Sequence, residues 1–253
     1  MAIKDLVQTN NSVAPATVAA GRGFEQVDMS TITMPRAKLM QPGSPELQDE
    51  DYNFKQGQLI HSLLMEQLPD KFIPISIWDS QILLVPREDA KKKELFAAIQ
   101  KDDVPGFIVC RALDGKQGSA FGSCRGCALR NWRKMADGTE KPPLCTSTIN
   151  VLALFEGHQM PVVLQFANTS YKHGKKFRDM AFFSGGDLFS RKYKIAVAKR
   201  QEAGNTWYEM SVKPAGLPTE EERQLAEALY ERFRNATIST EVDEPTDTVE
   251  AAF

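Results

Sequence analysis

The chain has 253 residues, 42% hydrophobic and 25% charged, with a formal net charge of −2. These values are ordinary for a globular protein and allow one elaborated domain or two small ones. No apolar run approaches the ~20 residues that span a bilayer, and a basic-then-apolar secretory leader is missing. The expectation is a protein of the cytoplasm (the host's, if phage-encoded), with reduced thiols and no membrane partner.

In chain order, residues 1–30 lack sustained periodicity and read as a loosely ordered arm. A structured block begins at Thr31, with turn signals at Pro42-Gly43 and Ser44-Pro45. Apolar runs follow at 58–65 and 71–78, the second alternating as a strand does, and 88–100 has a helical pattern. Residues 106–112 read as a short strand, and a long cysteine-bearing segment follows at about 110–145. Strands are predicted at 148–156 and 160–168, joined by a hairpin at Gly157-His158-Gln159. A basic helix over 170–183 is capped by Ser170 and ended by Gly185-Gly186, and further strands fall at 191–199 and 205–213. A last helix lies within 217–235, where Thr219 and Glu222 form a capping box and Leu225, Leu229 and Phe233 mark the buried stripe.

The order strand, long loop, strand, strand, helix, strand, strand is that of an OB-fold. The predicted class is therefore mainly β with helices. An OB-fold-like barrel would occupy 31–216, with a zinc-stapled loop between strands 1 and 2, the helix over 217–235, and a flexible acidic tail over 236–253.

Charge is distributed unevenly. Residues 106–200 carry 16 Lys+Arg against 6 Asp+Glu, residues 1–105 carry 11 against 15, and residues 201–253 carry 4 against 12. Between Tyr171 and Arg200 the cations Lys172, Lys175, Lys176, Arg178, Arg191, Lys192, Lys194, Lys199 and Arg200 are interleaved with aromatic residues. Cations tracking phosphates and rings stacking on bases are what sequence-tolerant single-strand binding requires. Tyr171, Tyr193, Trp132 and Trp207 are candidate stacking rings, with Arg130, Arg133 and Lys134 beside Trp132. Phe177, Phe182 and Phe183 read as core instead, since large apolar side chains are usually buried.

The only four cysteines, Cys110, Cys124, Cys127 and Cys145, fall within 36 residues around a C-x2-C pair. In a reduced compartment this spacing suits one structural Zn²⁺ held by four thiolates. Free buried thiols and a redox C-x2-C remain the other readings, and His158 or His173 is available to replace one ligand. Catalysis is not suggested: the three histidines are scattered, no strand offers a carboxylate cluster, and no phosphate-binding glycine loop is present.

Several segments resemble the predicted single-stranded DNA-binding proteins of tailed phages. They are Pro35 to Gln41 with Ser44-Pro45-Glu46, Cys124 through Trp132, Pro142-Pro143 with Cys145, Asn168-Thr169-Ser170, and Gly174-Lys175-Lys176. The acidic end, with Asp243, Glu244, Asp247, Glu250 and the terminal Phe253, is similar to the tips of bacterial and phage single-strand-binding proteins. Ala251-Ala252 departs from the bacterial pattern. A zinc-containing OB-fold resembles the helix-destabilising proteins of T-even phages, although their site includes one histidine. The resemblance implies coating of single-stranded DNA, with RNA left open, during replication, recombination or repair, and recruitment of partner proteins through the tail. The alternative is a zinc-stapled adaptor of a replication or transcription complex.

Overall fold

The computed structural model describes residues 31–84, 108–135 and 138–242. The arm over 1–30, the helix expected at 88–100 and the tail residues Asp243, Glu244, Asp247, Glu250 and Phe253 lie outside the described residues.

In chain order the strands are β1 (Thr31–Met34), β2 (Arg36–Leu39), β3 (Leu59–His61), β4 (Glu66–Gln67), β5 (Lys71–Leu84), β6 (Ile108–Ala112), β7 (Gln117–Gly118) and β8 (Gly122–Ser123). After them come β9 (Arg133–Lys134), β10 (Glu140–Lys141), β11 (Thr146–Phe155), β12 (Val162–Phe166), β13 (Lys192–Glu202), β14 (Asn205–Gly216) and β15 (Thr237–Thr240). Two α-helices are present among the described residues, α1 (Tyr171–Phe183) and α2 (Glu220–Phe233).

One nine-stranded sheet runs in the order β14-β13-β5-β11-β12-β2-β3-β4, with β6 also paired to β5. This corrects the expectation of an OB-like barrel, because the sheet does not close. The cause is β5, which extends to Leu84 and lies between β11 and β13 where the barrel reading had no strand. Alternation past Trp78 is interrupted by Asp79 and Ser80, so the sequence pattern ends early. Pro74 has no N–H for the ladder, and next to it the pairing with β11 skips Ile75. Such a bulge is where proline is tolerated in a central strand.

The open sheet is nevertheless curled. The side-chain amide of Gln41, after β2, donates to the Tyr208 carbonyl (3.0 Å) and accepts from the Tyr208 N–H (2.9 Å) on β14. It occupies the place of a missing strand at that edge. Gly57 completes the approach, since a Cβ there would stand 2.7 Å from the Tyr208 ring.

Both faces of the sheet are covered, which explains why β11 is buried without interruption from Thr148 to Phe155. Ile149, Val151 and Phe155 pack beneath α1 with Phe166, Phe177 and Tyr193. Leu152 and Leu154 pack beneath α2 with Ile73, Ala226, Leu229 and Phe233. The expected capping box of α2 is present in both directions: Glu222 N–H donates to Thr219 Oγ1 (3.2 Å) and Thr219 N–H to Glu222 Oε2 (2.7 Å).

The tail boundary is also corrected. Residues 237–240 form β15, parallel to β1, with Ile238, Ser239 and Thr240 buried.

Candidate nucleic-acid interface and thiol pocket

Helix α1 is held closely to the sheet at two points. A Cβ on Gly174 would stand 2.6 Å from Phe166 Cβ, so glycine permits the approach. Phe177 enters the core edge-on to Tyr193, with ring centroids 4.9 Å apart. Ser170 precedes the helix but makes no side-chain cap; its Oγ accepts from the Met210 N–H (3.1 Å) and ties the helix start to β14.

With this side fixed, the 3.6-residue turn sends Lys172, Lys175, Lys176, Asp179, Phe182 and Phe183 to solvent together. Phe182 is 78% and Phe183 84% exposed, their rings in edge contact at 5.4 Å. The expectation that these two belong to the core is therefore corrected; of the three phenylalanines on α1, only Phe177 is buried. Lys175 Nζ lies over the Tyr171 ring at 5.3 Å. Neither Lys175 nor Lys176 has an ion-pair partner among the described residues.

The exposed side of α1 adjoins a cluster built on Glu209 of β14, which is 4% exposed. Its carboxylate accepts from Lys172 Nζ (3.4 Å), Arg200 Nε (3.2 Å) and Trp207 Nε1 (3.3 Å), and His173 Nε2 stands 3.3 Å away. Burial alone would raise the pKa of this acid, but the hydrogen bonds from Trp207, Arg200, His173 and Lys172 bring it down to about 2. Glu209 thus gathers two cations and an indole from three elements, α1, β13 and β14. Sequence reasoning missed this anchor; its signal is the lone acid of β14, two residues after Trp207.

The remaining predicted contacts divide by environment. Lys199 and Arg200 sit on the exposed outer part of the β13–β14 hairpin, whose Ala203-Gly204 turn has positive φ at both residues. Tyr193 is 2% exposed inside the α1 core, which corrects its reading as a stacking ring. Lys192 is tied to Glu222 (2.7 Å) and Glu156 (3.2 Å), so it links β13 to α2 and does not present a free charge. Lys194 pairs with Asp70 (2.9 Å), Arg178 with Asp79 (3.3 Å), and Arg191 donates to the Ser184 carbonyl (3.1 Å).

Arg130, Trp132, Arg133 and Lys134 belong to the cysteine loop. Trp132 is 64% exposed, while Arg130 donates to the Cys124 carbonyl (3.0 Å) and holds the loop.

That loop folds over one end of β5. Register places Gln81 opposite both Ala112 and Ser147, and Leu83 opposite Cys110. Directly paired residues share a face, as do residues two apart on one strand, so Cys110 faces the same side as Leu83 and Gln81. Cys145, the residue before β11, joins it there, its Sγ 3.9 Å from Gln81 Oε1. The loop brings Cys124 and Cys127 over that side through the β7–β8 hairpin and a turn at Gly126, where φ is +78°. All four thiols, none in a disulfide, line one pocket together with Leu83, Phe121 and Leu129. Burial pushes the Cys145 thiol up to about 11, with Cys124, Cys110 and Cys127 adding to the effect. Among the described residues no group of three or more His, Cys, Asp or Glu closes to metal-holding geometry. The loop thus brings the four thiols to one place without drawing them to ligand spacing.

Fold and surface together define a mainly β protein: one curled sheet between two helices, with a basic aromatic face on one side and a thiol pocket at one end. The chain belongs to the Pam3 phage gp34-like protein family, whose profile matches residues 8–239. No curated protein and no solved structure matches it. Among the described residues no helix is long and apolar enough to cross a membrane.

Proposed function

We propose that this phage-family protein binds single-stranded nucleic acid without sequence specificity, DNA in the first place, and coats it during replication, recombination or repair. The observation that carries the reading is the solvent side of α1. Three lysines and two almost fully exposed phenylalanine rings share it, beside the Lys172–Glu209–Arg200–Trp207 cluster. Exposed rings of this size are costly in water, and here they stand where cations would bring a phosphate backbone. Bases have flat apolar faces and phosphates carry the charge, so a single strand satisfies both features at once. The acidic segment from Asp243 to Phe253 is proposed as a competitor for this face and as a recruiter of partner proteins.

The reading is tested by titrating the full chain into fluorescent oligo-dT, oligo-U and duplex DNA over a range of salt. The expected result is preference for single strands, weak dependence on sequence, and a log–log salt slope of about −0.7 for each phosphate neutralised. No binding at low salt, or binding indifferent to salt, overturns it. In that case the α1 face serves a protein partner, as the adaptor reading holds.

A further inference from the structure

The thiol pocket plays no part in the proposed nucleic-acid contact, and its construction calls for a separate account. We propose that Cys110, Cys124, Cys127 and Cys145 together hold one structural Zn²⁺ that fastens the 113–145 loop onto the end of the sheet.

Cys110 lies on β6 and Cys145 immediately before β11, on either side of β5 and facing one side of the sheet, and Cys124 and Cys127 come from the loop lying above that side. A Cβ built on Gly118 would lie 2.7 Å from Cys110 Sγ and 3.8 Å from Cys124 Sγ, so these two sulfurs stand no further apart than 6.5 Å, the sum of the two distances. Tetrahedral Zn–S bonds of about 2.3 Å hold sulfurs about 3.8 Å apart, so a shift of a side-chain rotamer brings this pair to ligand spacing. Gly118 is itself buried, and any side chain there would meet the Cys110 sulfur. A glycine at that position keeps space beside the thiols.

The loop also needs a fastening. Its strands β7, β8, β9 and β10 are two residues each, and its apolar contact with the sheet is a small group: Leu83 and Val109 with Cys110, Leu129, Leu144 and Cys145. So little buried area holds a segment of this length poorly, which is the situation in which a structural metal substitutes for core. Four soft thiolates with no open position suit a structural ion, not a catalytic one. Arg130, donating to the Cys124 carbonyl, partly offsets the excess negative charge of four thiolates around a divalent cation.

The test uses the full chain, purified without a histidine tag or chelator. Metal analysis should give about one zinc and negligible iron per chain, and a mercurial reagent should release that zinc into a colorimetric chelator. Cobalt substitution should produce the thiolate charge-transfer and visible bands of a tetrahedral four-sulfur site. Cys127→Ser and Cys145→Ser should each lose the bound zinc. Because either variant can fail to fold, thiol accessibility in the unaltered chain is measured as well: four thiols should become reactive together on chelation and be protected again when zinc is restored. A chain that carries no metal, gives no cobalt spectrum and has thiols reacting independently overturns the proposal. So does iron in place of zinc, or a pair of disulfides in protein isolated under reducing conditions. None of these outcomes bears on the nucleic-acid reading.

Discussion

Helices α1 and α2 cover opposite faces of the same sheet, are 13 and 14 residues long, and each buries phenylalanine in its own core. Their outer sides differ in every respect. On α2 five glutamates face two arginines, and Arg223 pairs with Glu220 (2.8 Å) and Glu227 (3.1 Å) within the helix. Phe233 is buried and Tyr230 leans on Phe189, with centroids 5.6 Å apart. On α1 four cations face one carboxylate, and two rings stand in solvent. Helix α2 covers its face of the sheet with its rings buried and with Glu220 and Glu227 paired to Arg223 and Glu222 to Lys192 of β13. The exposed rings and unpaired lysines of α1 are thus not required by packing, and they mark the side of the molecule on which a partner is expected.

At their buried rings the two helices should behave alike. Phe177→Ala and Phe233→Ala should each destabilise the fold by about 3 kcal/mol or more, as large-to-small changes in a core do, measured by urea unfolding. A much smaller cost for Phe177 would mean that α1 is not an integral cover of its face. The exposed rings should then separate the helices. Replacing Phe182 and Phe183 together by Ala should leave stability within about 1 kcal/mol, because rings already in water lose little burial. The same change should weaken oligo-dT binding by roughly tenfold or more, at ~1–3 kcal/mol for each stacked base. Unchanged binding would remove the rings from the interface.

Charge comes next in size. Lys175→Glu with Lys176→Glu should weaken binding several-fold and flatten the salt slope by ~1–1.5, at ~0.7 for each phosphate no longer neutralised. Glu221→Lys with Glu227→Lys, the same amount of charge in the opposite sense on α2, should leave the slope unchanged. Equal and opposite effects would show that net charge matters and the face does not. Glu209 is tested by pH. With its pKa held to about 2 in the folded chain against an ordinary 4.5, its ionised form contributes stability above about pH 4.5. That contribution is lost as pH falls from there towards 2. Glu209→Gln should be less stable than the unaltered chain at pH 7 by ~1–2 kcal/mol, and the difference should shrink in melts between pH 4.5 and 3. A constant difference across that range would place the carboxylate's role elsewhere.

Local rules made much of this legible. The Thr219–Glu222 box, the 157–159 hairpin, the Gly204 turn and the span of α1 are each written in a few adjacent residues, and each is present. Features fixed by distant partners were not legible. The length of β5 depends on β6, β11 and β13 pairing with it, the place of Tyr193 on Phe72 and Phe177, and the partners of Lys192 on residues 36 and 30 positions away. Phe182 and Phe183 were misplaced for the opposite reason: size predicts burial on average, and these two rings depart from the average. The cysteine cluster was visible from composition, whereas the side of the sheet it occupies follows only from strand register.

The pairing of β1 with β15 has a kinetic consequence. Thr31 is matched with Thr237, 206 positions along the chain, and Arg111 reaches the carbonyl of Thr240 (2.8 Å). On the ribosome, β1 emerges well before β15 and has no partner to join until residues 237–240 follow it. Closing so large a loop late is slow, and contacts of such separation lower the folding rate. The edge of β1 therefore waits exposed while the 202 residues between the two strands are made, and β15 acts as the latch that covers it.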